Sequence, residues 1–323
     1  MLLRGLAVSA TVGMFLVLVM GATVTNTGSA QGCGQSWPLC NGRLVPEFTV
    51  ATAIEYSHRA VTGIEGVLVA VLSIGVILAA RRDARPRGAS WAGTPQTPRR
   101  TREAWLLVAL MLGFLLLQAG LGAWAVLAPQ SPLVLASHFG ISLMAFAAVF
   151  LTGVWVFQPH AAHPAVPGRY RLLVLGTTAY VLGVVYLGAY VRHTGVSLAC
   201  ADWPLCNGQV WPGLSGATGL VFAHRLAALG ALVLLALLAL ASWRLPRELA
   251  LASAVAFVLG SAQALSGAVV VWTRLGLFGT LAHAALISLL FASLAFLVRR
   301  VGLPAAARTA PGRARPAAAG ARL

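Results

Sequence analysis

Charged side chains are scarce in this chain of 323 residues, which has only seven acidic residues and no lysine. Charged residues make up 9% of the sequence, whereas a soluble domain carries about 25%. A chain this poor in charge cannot cover a water-facing surface, so disordered, fibrous and ordinary soluble proteins are excluded. Its charge-free stretches include all of 104–168, and apolar runs of about 20 residues match the bilayer core. The sequence therefore predicts an integral membrane protein.

The 23 basic residues are all arginine and contribute to a net charge of +16. Such a charge can indicate a nucleic-acid partner, but these arginines lie in the links between apolar runs. Arginine in short links sets topology, because positively charged loops stay in the cytoplasm. With the N-terminus inside, only Arg43, Arg192 and Arg274 fall in the opposite links. We expect no nucleic-acid partner, two cytoplasmic termini and a multi-pass protein of the cell membrane.

Eight apolar segments are long enough to cross a lipid bilayer as helices. They cover about residues 5–24, 51–80, 104–127, 133–157, 172–191, 217–243, 249–272 and 277–298. The first resembles a secretory signal, since Arg4 precedes an apolar run that ends in small residues. Its counterpart in the repeat described below lies deep in the chain, so we expect it to remain as a helix. The cytoplasmic loop at 81–103 and the tail at 301–323 are predicted to be flexible.

A tandem duplication is evident from the spacing of repeated markers. The sequence WPLCNG at 37–42 recurs at 203–208, and in both copies its cysteine precedes a His-Arg pair by 18 residues. A Gln-Ala pair precedes a histidine by 20 residues in each half. Ordered markers with matched spacing indicate a repeat. Four crossings per half predict an all-α fold of two parallel four-helix repeats related about the membrane normal: an N-terminal repeat at 1–157, a cytoplasmic linker at 158–171 and a C-terminal repeat at 172–300.

All four cysteines lie in the two long outer links. Cys33 and Cys40 are in the first link, and Cys200 and Cys206 are in the second. In an oxidising compartment each close pair can form a disulfide, which stabilises such a short loop by roughly 2–3 kcal/mol. Alternatively, one pair exchanges electrons or a disulfide with a partner. We favour a structural role for the second pair and leave both roles open for the first.

One histidine lies in each even-numbered segment, which gives the set His58, His138, His224 and His283. Each follows the start of its segment by roughly 5–8 residues, so the helical rise places all four at one depth near the outer face. A single intramembrane histidine can simply bond to a neighbouring helix. Four equivalent ones from neighbouring helices suit haem iron better than zinc. Of the other histidines, His160 and His163 are expected to be solvated in a cytoplasmic link, and His193 is expected in an outer link as a surface or near-site polar residue.

Glu55 distinguishes the first half of the chain from the second. It precedes His58 by three residues and shares its helical face, whereas Val221 occupies the equivalent position before His224. This asymmetry predicts chemistry in the first half and a held cofactor in the second. Alternatively, Glu55 only forms an ion pair with Arg59 or Arg192.

Several other polar residues in the spans have open roles. Arg59 and Arg225 directly follow their histidines and can neutralise acidic porphyrin side chains or extend to the membrane interface. Gln118 and Gln263 can bond across helices or to a ligand. Glu65 lies deeper in the second segment, either on a proton path or as a packing partner.

These residues together resemble the haem A synthase family of the CtaA type, in the COX15/CtaA superfamily. The resemblance covers about residues 5–300 and rests on the eight spans, the Thr-Gly-x(4)-Cys and Trp-Pro-x-Cys loops, Glu55-x-x-His58-Arg59 and His224-Arg225. It implies an oxidoreductase that converts the C8 methyl of haem O to a formyl group and so supplies haem A to terminal oxidases. The first loop departs from the family pattern at Thr25, where members often have an arginine.

The resemblance also implies residue roles and partners. A b-type haem cofactor would be held by His224, His283 and Arg225, and the substrate haem O by His58, His138 and Arg59. Glu55 would be the catalytic carboxylate, and Cys33 and Cys40 the pair of the first loop. The haem O synthase, a farnesyltransferase, and an unidentified electron donor are the expected protein partners.

Three other readings compete with this one. A b-type electron carrier would need haems near both membrane faces, whereas all four histidines lie near one. A transporter built from parallel repeats leaves the cysteine loops unexplained. A thiol–disulfide oxidoreductase leaves the four histidines without a role.

Overall fold

The computed structural model describes residues 1–83, 96–128, 131–158 and 164–302, and within these ranges it is helical with no β-strand. Its eight helices are α1 (Leu2–Asn26), α2 (Val50–Asp83), α3 (Gln96–Leu127), α4 (Pro132–Phe157), α5 (Gly168–His193), α6 (Gly216–Ser242), α7 (Arg247–Trp272) and α8 (Leu277–Val301). They correspond one to one to the eight predicted segments. Most of the predicted loop at 81–103, together with His160, His163 and the tail after 302, lies outside the described residues. The described parts of that loop, 81–83 and 96–103, belong to α2 and α3, so the helices extend further into it than we predicted.

Each of the eight helices is long and apolar enough to cross a membrane. The shortest have 25 residues, which at 1.5 Å per residue span about 37 Å and exceed the ~30 Å hydrocarbon core. In lipid a single crossing segment must satisfy its own backbone hydrogen bonds, and a helix does so. Many large apolar side chains on these helices remain exposed, as lipid-facing side chains should.

The helices of each half contact one another in a closed ring. In the first half α1 contacts α2, α2 contacts α3, α3 contacts α4, and α4 contacts α1. Helices α5 to α8 repeat this order in the second half. The two rings meet where α4 packs on α5, α1 on α8, and α4 on α8. Helix α4 lies at the centre of this interface and is the most buried of the eight.

The arginine-rich helix ends gather at one end of the molecule. Arg299 at the end of α8 binds Glu103 at the start of α3 at 2.7 Å, and the neighbouring Arg300 pairs with Glu248 at the start of α7. Both cysteine loops lie at the opposite end, where α1 and α5 finish. The helix packing thus separates the arginine-rich end from the cysteine-bearing end.

The two cysteine loops share one local structure. Disulfide bonds join the pairs Cys33–Cys40 and Cys200–Cys206. In each loop the second cysteine forms an isolated β-bridge with the residue three positions later. The intervening Asn41 and Asn207 have φ values of 51° and 54°, in the left-handed region that asparagine tolerates better than most residues. The repeated sequence WPLCNG is therefore a repeated structure.

Candidate functional site

Each histidine of the even-numbered helices lies against a glycine of the preceding helix. A Cβ atom built on that glycine would lie 3.3 Å (Gly21 and His58), 3.2 Å (Gly122 and His138), 2.6 Å (Gly188 and His224) or 3.5 Å (Gly267 and His283) from the imidazole Cε1. The missing side chain gives the ring its space, because glycine allows two helices to approach closely. The four rings therefore occupy four equivalent notches.

Sequence reasoning did not identify these four glycines. The signal was the duplicated spacing. Gly21 and Gly188 each precede a Thr-Gly pair by six residues, and Gly122 and Gly267 each precede a histidine by 16. Glycines that repeat in register with histidines indicate a specific contact.

The second half contains a cavity of about 720 Å³ whose wall includes His224 and His283. Its lining is mainly apolar and comes from helices α5 to α8, with contributions from α1 and α4. The few polar groups on the wall include Arg192, His193, Arg225 and Gln263. An apolar cavity of 300–1,000 Å³ with a few polar groups is typical of a small-molecule site.

The ring nitrogens of the second half fit a haem held between two imidazoles. His224 has a buried Nδ1 that makes no hydrogen bond with the described residues. His283 contacts Ser266 Oγ through Nδ1 at 2.8 Å and Gln263 Nε2 through its own Nε2 at 3.0 Å. Two imidazoles on the wall of one apolar cavity are the donor set that haem iron uses.

The first half carries His58 on α2 and His138 on α4, two helices of the same ring. The Nδ1 atom of each ring is buried and makes no hydrogen bond within the described part of the chain. Among the described residues, no group of three or more His, Cys, Asp or Glu side chains is placed to hold a bare metal ion. The first half therefore offers the same paired imidazoles as the second.

Glu55 is buried at the start of α2, with 4% of its surface exposed. Its Oε1 accepts a hydrogen bond from Arg59 Nη2 at 2.5 Å, and its Oε2 accepts one from the backbone N–H of Cys33 at 2.8 Å. The pairing with Arg59 that we considered as an alternative is thus present. Arg192 does not take part, because its Nε donates to Asn26 Oδ1 of α1 at 3.0 Å. The carboxylate therefore joins the histidine helix to the first disulfide loop.

Arg59 and Arg225 both fasten a cysteine loop to its helix. Arg59 Nη1 donates to the carbonyls of Ser36 and Leu39, each at 2.8 Å. Arg225 Nη1 donates to the carbonyl of Leu205, the counterpart of Leu39, at 2.6 Å. Sequence reasoning did not find these loop contacts. The predicted contacts of the two arginines with haem stay predictions.

The two loops are closed by different side chains at one equivalent position. In the second loop Asp202 accepts the backbone N–H groups of Gly208 at 2.8 Å and Asn207 at 2.5 Å. Donation from Gly208 is the main cause that holds the pKa of Asp202 below its usual value, so this stabilisation is lost as the pH falls through that lowered pKa. In the first loop Ser36 Oγ accepts the N–H of Gly42 at 3.2 Å. Serine therefore preserves the closure without the charge.

Glu65 lies apart from these contacts. It is 2% exposed, and its carboxyl oxygens make no hydrogen bond with the described residues. Its Oε2 lies against Gly13 of α1, only 2.1 Å from where a Cβ would be. The second half has Ala231 at the equivalent position. The contact makes Glu65 a packing partner of α1.

Comparison with known proteins gives one consistent answer. The family model COX15-CtaA, described as cytochrome oxidase assembly protein, matches residues 46–295. A protein of Geobacillus kaustophilus named "Heme A synthase" is 40% identical over 98% of this chain and 98% of its own length. Proteins of the same name from Alkalihalophilus pseudofirmus and Symbiobacterium thermophilum are 38% and 39% identical, over 92% and 91% of this chain and 97% and 94% of their own lengths.

The glycine notch beside His224 provides a direct test of the second-half site. Gly188→Ala would place a Cβ 2.6 Å from the imidazole Cε1, so the ring must shift and lose its position on the cavity wall. We expect the porphyrin pigment per mole of purified protein, measured by absorbance after extraction, to fall several-fold.

Gly183→Ala on the same helix is the matched control, because a Cβ there would meet no described atom within 4 Å. It should keep the pigment of the unmodified protein. Equal pigment in both variants would contradict the assigned role of the notch.

Proposed function

This chain belongs to the COX15-CtaA family, and we propose that it converts the C8 methyl of haem O to a formyl group, giving haem A for terminal oxidases. Its family and its relatives make it an oxidoreductase of haem A biosynthesis. The observation that carries the finer proposal is the buried Glu55, which lies three residues before a notch-bound histidine in the first half alone.

The first half is proposed as the substrate site. His58 and His138 would hold haem O, with Arg59 at the porphyrin edge. Oxidation of a methyl group to a formyl replaces two hydrogen atoms with one oxygen atom and removes four electrons, which an external oxidant must accept. The protons released from the carbon need a positioned proton acceptor. Glu55 can serve because Arg59 and the Cys33 N–H hold its carboxylate in place while other oxygen lone pairs stay available.

The second half is proposed as the site of a resident haem b. His224 and His283 would hold it, and the apolar wall of the 720 Å³ cavity would exclude water from its faces. When bound, such a haem supplies one-electron redox chemistry. Val221 replaces the carboxylate here, which suits a group that is retained rather than modified.

Thiol–disulfide exchange has less support as the main activity. All four cysteines are at most 2% exposed, and exchange requires that a thiolate reach a sulfur atom. The disulfides instead shape the loops that hold Arg59, Arg225 and Glu55. The haem O synthase and a separate electron donor are the protein partners that we propose.

We propose that the two rings of four helices are parallel repeats related about the membrane normal. The repeated contact order of the helices supports this arrangement. The arginine-rich end would face the cytoplasm, which places both termini inside and the cysteine loops on the outer face of the cell membrane.

The topology proposal is tested by reporter fusions. If the C-terminus is cytoplasmic as proposed, green fluorescent protein fused after residue 323 should fluoresce, and alkaline phosphatase fused at the same place should be inactive. Alkaline phosphatase fused after Arg274, in the link between α7 and α8, should be active. Phosphatase activity at the C-terminus would contradict the orientation.

The catalytic assignment is tested by Glu55→Gln. Glutamine keeps the size of the side chain and one oxygen acceptor for a hydrogen bond. It cannot take up a proton, so we expect haem A formation to fall by roughly 10²–10⁴-fold. Haem b content should be unchanged. Turnover is measured by chromatography of haems from membranes supplied with haem O.

Glu65→Gln is the matched control, with the same chemical change ten residues further along α2 at a second buried carboxyl. It should retain most of the turnover. Normal haem A formation in Glu55→Gln would remove Glu55 from the mechanism.

A further inference from the structure

The two halves place a hydroxyl group differently around an equivalent Gln–His pair. In the first half Ser142 Oγ, on the histidine helix, lies 2.8 Å from Gln118 Oε1. The second half has Ile287 at that position and carries its hydroxyl on the glutamine helix instead, as Ser266. The first-half counterpart of Ser266 is Leu121. The duplication has therefore diverged in which partner the hydroxyl binds.

The contacts of Ser266 define the tautomer of His283. Ser266 Oγ lies 2.8 Å from the carbonyl oxygen of Gln263 and 2.8 Å from Nδ1 of His283. A carbonyl can only accept, so the hydroxyl proton points to it and the hydroxyl oxygen accepts from an Nδ1–H of the imidazole. The Nε2 atom then keeps its lone pair.

The neighbouring amide agrees with this assignment. Gln263 Nε2 lies 3.0 Å from Nε2 of His283, where an amide N–H can donate only if the ring nitrogen is unprotonated. Both contacts thus indicate that Nε2 is the unprotonated nitrogen of His283. A neutral imidazole binds a metal through such a nitrogen. The same amide lies on the cavity wall and must move aside when Nε2 binds iron.

We propose that Ser266 is a positioning residue that fixes the tautomer and plane of His283 and raises its basicity towards haem iron. The proposal rests on the proposed function, since it requires a resident haem b. When a ligating histidine donates a hydrogen bond from the nitrogen that does not bind the metal, its other nitrogen becomes a stronger metal ligand. A stronger ligand stabilises ferric iron relative to ferrous iron. The hydroxyl therefore lowers the reduction potential of the second-half haem.

The first half lacks this support at the corresponding ligand. Leu121 offers no acceptor, and Nδ1 of His138 makes no hydrogen bond with the described residues. A substrate haem must leave after turnover, whereas an electron-transfer haem is retained. Ser266 therefore orients a ligand of the retained haem, and Leu121 gives no such support at the substrate haem.

The experiment measures the midpoint potential of haem b in the purified holoprotein by redox titration. Ser266→Ala should raise it, by up to a tenfold change in the preference for ferric over ferrous iron, which is about 59 mV for one electron. Ser266→Thr keeps the hydroxyl and should restore the potential. Ser142→Ala, which removes the first-half hydroxyl, should leave the haem b potential unchanged.

An unchanged potential in Ser266→Ala with haem b bound would overturn the proposal, as would an equal shift in Ser142→Ala. If Ser266→Ala retains no haem, recovery of haem in Ser266→Thr supports the requirement for the hydroxyl, and failure of a folded Ser266→Thr to bind haem contradicts it. An unmodified protein that binds no haem b would instead refute the proposed function on which the inference rests.

Discussion

An imidazole buried between membrane helices needs space beside the neighbouring helix, and its ring nitrogens need a hydrogen-bond partner or a metal. Helices α2, α4, α6 and α8 each contribute one histidine, and α1, α3, α5 and α7 each leave out one side chain opposite it. The remaining organisation follows from this alternation. The notches pair neighbouring helices, and the pairs close into two rings of four helices, each of which carries two imidazoles.

The scaffold is repeated, and several of the differences between its halves lie beside the histidines. Both halves have a disulfide loop, an arginine that donates hydrogen bonds to the carbonyls of that loop, and glycine notches beside the histidines. The differences beside the histidines include Glu55 and Val221, Leu121 and Ser266, and Ser142 and Ile287. A carboxylate lies beside a histidine of the first half, and a hydroxyl contacts a histidine ring of the second half. Both differences agree with a substrate haem in the first half and a retained haem in the second.

The helices, the disulfides and the placement of the histidines could be predicted from the sequence, because they depend on the lengths of the apolar segments and on the spacing of residues along the chain. The eight apolar segments became the eight helices, the close cysteines became the two disulfides, and the repeat placed one histidine on each even helix. The contacts of Arg59 and of Glu55 with the first loop were not predictable. They depend on how a loop folds back over its helix, and neither periodicity nor spacing encodes that path. The contact between Ser266 and His283 could not be predicted for a similar reason. A single hydroxyl among apolar residues does not indicate which side chain of the neighbouring helix it will contact.

The identity of the bound haems tests the central claim most directly. The protein is purified in detergent from cells that make haem O, and its pigment is extracted, separated by chromatography and characterised by redox spectra. The two-site account predicts haem B together with haem O, haem A or a hydroxylated intermediate between them. Haem B alone would support an electron carrier that does not modify haem, and protein without any porphyrin would contradict the haem assignment of all four histidines.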